Sequence, residues 1–164
     1  MIDFRKATNK NDYLLIEQLA DSIWREHYIP IIGIDQVNYM LDKFQSVKAI
    51  ASQIEEGYQY YVIYFEEAPV GYLSMRKDDN ILFLSKIYVS IDYRGNSIGK
   101  VALTFVESKA KADRLNTIRL TVNKNNNATK FYERIGFVNK GPKVMDIGGG
   151  FVMDDFLMEK EITL

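Results

Sequence analysis

Apolar positions alternate from Ile2 to Ala7, which predicts a first strand. Near Asp12 the period changes. Tyr13, Ile16, Leu19, Ala20, Ile23 and Trp24 fall at helical spacing, and Pro30 and Gly33 separate this helix from the next. Val37, Met40, Leu41 and Phe44 make one apolar stripe, and Val47, Ile50 and Ile54 a second. Gly57 suits the end of that helical region. Aromatic and β-branched residues then dominate Tyr58 to Phe65. Glu66 to Pro69 reads as a turn before Val70 to Arg76, and Lys77 to Asn80 as a turn before Ile81 to Val89. Turns this short favour antiparallel hairpins.

Ile98, Val101, Ala102, Phe105 and Val106 predict an amphipathic helix running to about Ala112. A strand, Ile118 to Val122, leads into a short helix carrying Phe131 and Tyr132. Gly136 stops that helix and Phe137 opens the next strand. Gly148, Gly149 and Gly150 permit a flexible or left-handed loop before a last strand, Phe151 to Glu159. The order β-α-α-β-β-β-α-β-α-β-β implies a single α/β (α+β) domain over residues 1–164. Its sheet is mixed, mostly antiparallel, of about seven strands, with helices on both faces.

Composition narrows the function. The chain of 164 residues is 47% apolar, enough for one sizeable core. A net charge of −1 and a pI near 5.9 create no demand for nucleic acid or an anionic membrane. The absence of cysteine excludes disulfides, thiolate catalysis and cysteine-based zinc sites. His27 is the lone histidine, so a histidine-rich metal site is excluded and no metal is expected. The N-terminal residues lack the apolar run of a signal peptide, and no apolar stretch has membrane-spanning length. The expectation is a soluble cytoplasmic protein.

Arg94-Gly95-Asn96-Ser97-Ile98-Gly99-Lys100 joins a strand to a helix. Backbone N–H groups at a helix N-terminus are unpaired and favour an anion such as pyrophosphate. Gly95 and Gly99 allow close backbone approach, and Arg94 and Lys100 add charge. The same residues also fit an ordinary turn. A P-loop is excluded, because three residues rather than four separate Gly95 and Gly99, and Val101 follows Lys100. No GxGxxG fingerprint is present.

Arg94 and Gly99 match the ends of a second signature: Gln or Arg, two residues, Gly, one residue, then Gly or Ala. Ser97 stands at its middle glycine. Asn125, Ala128 and Tyr132 match an accompanying spacing in which asparagine precedes alanine by three residues and tyrosine by seven. With Gly136-Phe137 behind them, these segments resemble the Gcn5-related N-acetyltransferases. That resemblance implies an enzyme that moves an acetyl group from acetyl-CoA directly to a primary amine. It places the pyrophosphate on Arg94 to Lys100, the pantetheine arm near Asn125, Ala128 and Phe131, and the coenzyme sulfur near Tyr132. A phenol there can protonate the leaving thiolate. Taken alone, Tyr132 would sooner serve as a half-buried aromatic anchor; Asn125 before it and Gly136-Phe137 after it reverse that preference. Leu84 to Val89 resembles the family's fourth strand, which splays from the next parallel strand. Ile87, Tyr88 and Val89 would then border the pantetheine, the Val89 N–H facing the thioester carbonyl.

The acceptor side is less defined. Relatives commonly carry a glutamate base on or near the fourth strand, but no carboxylate lies between Ile81 and Ile91, and Lys86 occupies part of it. Glu26, His27 and Tyr28 follow Trp24 where relatives enclose the acceptor. Asp154 and Asp155 lie in the last strand. The tail from Gly141 to Lys160 resembles a PaiA-type subgroup whose substrates include polyamines. Glu26, Asp35, Asp154 and Asp155 would draw such a cation into the cleft. A peptide N-terminus as acceptor, a coenzyme-binding regulator with little catalysis, and a transcriptional repressor are the competing readings. A homodimer fits any of them.

Overall fold

The computed structural model describes Met1–Leu164. Seven strands form one sheet: β1 (Ile2–Lys6), β2 (Gln59–Phe65), β3 (Ala68–Asp78), β4 (Ile81–Val89), β5 (Thr117–Asn123), β6 (Val138–Gly148) and β7 (Phe151–Glu161). Their spatial order is β1-β2-β3-β4-β5-β7-β6. Only β4 and β5 run parallel; every other neighbouring pair is antiparallel.

Five helices complete the fold: α1 (Lys10–Ile32), α2 (Ile34–Gln45), α3 (Val47–Glu55), α4 (Ile98–Ala112) and α5 (Ala128–Arg134). The expected pair of helices after β1 is therefore a trio. The two apolar stripes belong to separate helices because Ser46 has extended backbone and its side chain accepts from the Ala49 N–H, starting α3 anew. At the start of α1, Asn9 caps by accepting from the Asp12 N–H. Pro30 does not end α1. It sits exposed in the last turn, and Gly33, with φ +84°, makes the break.

The sheet is covered on both faces. Val37, Met40 and Ile50 from α1–α3's side join Ile16 and Trp24 against Tyr60, Val62 and Tyr72. On the opposite face α4 inserts Ile98, Ala102, Leu103, Val106 and Ala110 against Leu73, Leu84, Ile118 and Leu120. Val101 lies outside that stripe and is exposed. β5 alternates strictly: Ile118, Leu120 and Val122 are buried on the α4 side and their neighbours are only partly covered.

A polar chain stiffens the α1–α3 side. Trp24 Nε1 donates to Tyr72 Oη at 2.9 Å, and Tyr72 donates to Gln45 Oε1. Gln45 Nε2 donates to Tyr60 Oη at 3.2 Å, and Tyr60 donates to Gln53 Oε1. Buried polar groups cost heavily when unpaired, so these links fix the helices to β2 and β3 in one arrangement.

The expected loop before β7 is shorter than the glycines suggested. β6 pairs with β7 along Val138 to Gly148, a register shift near Gly141 absorbing its φ of +112°. Gly148, Gly149 and Gly150 all have positive φ and turn the chain into β7.

Candidate active site

β4 and β5 pair only from Ile81, Leu82 and Phe83 to Thr117, Ile118 and Arg119. Beyond Phe83 the two strands diverge. The gap opens into a cleft of about 1070 Å³ bounded by α1, α2, α3, β4, β5, α5 and the β6–β7 hairpin.

Backbone direction follows from one hydrogen bond. The Ser90 N–H donates to the Val70 carbonyl at 2.8 Å, while Val89 faces Gly71 and Ile87 faces Leu73. Antiparallel pairs alternate between hydrogen-bonded and non-bonded. The N–H groups of Ile87 and Val89 therefore point away from β3, into the gap. Their side chains pack towards α4, whereas Tyr88 faces α1. The Tyr88 and Tyr28 hydroxyls lie 3.2 Å apart.

After β4 a 3-10 turn, Ile91–Tyr93, leads into the glycine-bearing loop. Gly95 has φ +90° and open space beside it. Asn96 donates to the Tyr93 carbonyl at 3.0 Å. Ser97 adopts a left-handed backbone, φ +60°, and does not cap α4 with its side chain. The first N–H groups of α4, on Ile98, Gly99 and Lys100, thus keep no intrahelical partner, a geometry that suits an anion. The Ile98 side chain anchors this end in the core, and Lys100 is exposed. Gly99 has a packing duty: a Cβ there would meet Phe131 Cζ at 3.3 Å. Arg94 turns towards the acceptor side, with Nη2 3.2 Å from Glu26 Oε1 and Nε donating to the Val89 carbonyl at 3.3 Å.

Tyr132 lines the cleft, 8% exposed, between the rings of Phe131 and Phe137, each centred 5.5 Å away. Burial, with a smaller effect of Tyr28, raises its phenol well above the ordinary value, so it stays protonated. Ala128 also lines the cleft, its N–H held by Asn126 Oδ1 at 2.9 Å. Asn125 does not line it. Asn125 is exposed at a turn, its N–H bonded to Asn123 Oδ1, and Asn126 is the buried asparagine that faces the cleft. Motif spacing selects Asn125; only the turn geometry reveals Asn126.

His27 and Tyr28 border the cleft from α1. Burial, then the nearby Arg94 charge, lowers the His27 pKa, so its imidazole is neutral at pH 7. Glu26 is occupied by Arg94. Asp154 points away from the cleft and pairs with Lys124 at 2.9 Å. Its neighbour Asp155 is the inward carboxylate, 6% exposed, with a pKa pushed up to about 6, chiefly by burial. Successive strand residues face opposite ways, so a shift of one position exchanges cleft for solvent. Asp35 is exposed near the start of α2. Of the four carboxylates expected to attract a polyamine, Asp155 alone lines the cleft.

No group of three His, Asp or Glu side chains comes together as a metal site, and no helix is long and apolar enough to cross a membrane.

The Acetyltransferase (GNAT) domain model matches residues 32–154, well over half of the chain. No curated protein sequence matches it. Solved structures resemble the whole fold. The PaiA N-acetyltransferase of Thermoplasma acidophilum, solved in complex with coenzyme A, superposes with a TM-score of 0.79 at 23% identity, covering 98% of this chain and 99% of its own. A Gcn5-related N-acetyltransferase of Rhodopseudomonas palustris reaches 0.78 at 18% identity, covering 98% and 95%. The ribosomal-protein-S18-alanine N-acetyltransferase of Escherichia coli reaches 0.71 at 17% identity, covering 100% and 96%. The diverging parallel pair, the uncapped helix behind it and the family match converge on one conclusion: this chain belongs to the GNAT acetyltransferases and is an acetyl-CoA-dependent N-acetyltransferase.

Proposed function

We propose that residues 1–164 act as one catalytic domain that acetylates the primary amine of a small molecule. The carrying observation is the junction of the β4–β5 gap with the cleft, where Tyr132 and Asp155 are both lining residues. Acetyl-CoA supplies the acetyl group as a reactive thioester. The uncapped turn of α4 and the positive-φ Gly95 fit its pyrophosphate, and the gap edge of Ile87 and Val89 fits its pantetheine amides.

Each residue then has a physical role. The Val89 N–H, directed into the gap, stabilises negative charge on the thioester oxygen. Asp155 takes the proton that the acceptor ammonium must lose; its pKa near 6 keeps it ionised yet basic at neutral pH. Tyr132, always protonated, gives a proton or hydrogen bond to the departing thiolate. The concave cleft, walled by α1–α3 and the β6–β7 hairpin, favours a small acceptor over a folded protein surface.

The test is thiol release from acetyl-CoA with a panel of small amines and peptide N-termini. Turnover with small amines is expected. Faster turnover with peptides would transfer the reading to protein N-terminal acetylation. Tight coenzyme binding without thiol release would leave a regulator.

A further inference from the structure

Lys86 has surroundings unusual for a lysine: it lines the cleft with no carboxylate partner. It lies on the diverging half of β4, three residues before Val89. A register irregularity between β3 and β4 falls at this point: Lys86 faces Ser74, but Leu84 faces Met75, leaving Ser85 unpaired. Ser85 and Lys86 both line the cleft at this bulge.

The ammonium has one protein partner, donating to Ser85 Oγ at 3.0 Å. No carboxylate pairs with it. Burial alone lowers its pKa to about 8. An ammonium carries three donors, so two remain without a protein partner. The three arginines of the lining are already engaged, and Lys143 is exposed on β6. Arg119 pairs with Glu159 at 2.6 Å, Arg94 pairs with Glu26, and Arg76 stacks on Tyr58 at 4.6 Å. The lining carries six cationic side chains against the carboxylates of Glu56, Asp78 and Asp155.

A half-buried ammonium without a carboxylate partner is stabilised by gaining an anion. The coenzyme phosphates do not supply one. They belong at the start of α4, beyond the far end of β4, and the thioester arm is uncharged. Val89 lies three residues from Lys86, roughly 10 Å along the strand. The long lysine side chain shortens that span, so an acceptor of a few bonds can reach both.

We propose that Lys86 binds a carboxylate on the acceptor, so that the substrate is a small amino acid-like molecule presenting its amine at Asp155 and its acid at Lys86. The proposal rests on the acetyl-transfer reading and names its substrate class. It disfavours a polyamine, whose several ammonium groups would meet Lys86 with like charge.

The experiment compares free amino acids, each paired with its own carboxamide, and includes spermidine. Thiol release yields kcat/KM for the intact protein, Lys86→Met and Lys86→Arg. A charge-assisted contact predicts that the best acid is favoured over its amide by at least roughly tenfold in the native protein. That ratio should fall towards one in Lys86→Met and largely return in Lys86→Arg. Parity between acids and amides, better turnover of spermidine, or an acid preference that survives Lys86→Met would each overturn the proposal while leaving acetyl transfer intact. Calorimetry of the same acids with the coenzyme-loaded protein separates the two readings. Acid binding that depends on Lys86, without turnover, would uphold the anion site and reject the transfer reading. Binding of none of the acids would reject the anion site.

Discussion

Arg94 and Glu26 form an ion pair, 3.2 Å apart, that joins the glycine-bearing loop to the acceptor-side helix α1. Both side chains are partly exposed, so the pair adds little stability, up to about 1 kcal/mol. Its consequence lies in charge. While paired, Arg94 presents a compensated charge to the neighbouring anion site. Arg94→Ala should weaken acetyl-CoA binding by roughly tenfold. Glu26→Gln should instead tighten it, by up to about fivefold, because the guanidinium is released. Calorimetric Kd values check both variants. Loss of affinity in both would show that the pair acts as a mechanical clamp on the loop.

Tyr132→Phe keeps the ring between Phe131 and Phe137 and removes one hydroxyl. The expected result is a kcat lower by roughly 10²-fold with coenzyme affinity little changed. The native phenol is protonated throughout the accessible pH range, so the variant should not alter the shape of the pH profile. Native turnover in Tyr132→Phe would reduce this residue to a packing role.

Asp155 links activity and stability with opposite signs. Its folded pKa of about 6 exceeds the ordinary 3.8, mainly through burial. Between those values the native state holds more protons than the unfolded chain. Stability therefore falls as pH rises from about 4 to about 6, and the loss persists above. Asp155→Asn abolishes that loss, so its Tm should exceed the native value at pH 7 and converge with it below about pH 4. Activity should move the other way. As the base, Asp155 must be ionised, so native kcat/KM should fall below about pH 6. Asp155→Asn should be slower by roughly 10²-fold or more and lack that limb. Melting curves and rate profiles from pH 4 to 8 test both halves.

Strand and helix periodicity made most of the architecture legible. The α4 stripe and the alternation in β5 are periodic over enough residues to identify their faces. The errors have local causes. Two apolar stripes either side of Ser46 count as one helical region until the serine is seen to cap. Gly148, Gly149 and Gly150 read as a longer loop, yet Gly148 is the last residue of β6, because a strand end and a turn demand the same positive φ. At the site, spacing located the segments but not the facing. Asp154 and Asp155 differ only by the pleat, and Asn125 and Asn126 only by the turn that follows Asn123. Lys86 was visible as the residue on a strand lacking a carboxylate. Its isolation depends on a bulge and on pairings between distant residues, neither of which periodicity reveals.

Ser97 is the departure from the glycine signature, and its backbone explains a testable consequence. With φ +60° it occupies the left-handed region, which costs a residue bearing Cβ roughly 1–2 kcal/mol. Glycine would relieve that strain but lose about 0.5–1 kcal/mol through the freedom of its unfolded chain. The two effects nearly offset, so Ser97→Gly should change Tm by only a few degrees, upward. Binding is the sharper readout. Ser97 immediately precedes the unpaired N–H groups of α4, and removing its Cβ lets an anion approach them more closely. Acetyl-CoA should therefore bind several-fold tighter, with kcat little altered because the acceptor side is untouched. Unchanged affinity would mean that the Ser97 side chain points away from the phosphates. Gly99→Ala serves as the contrast: its Cβ presses on Phe131, so it should lower Tm while leaving the approach at Ser97 as it is.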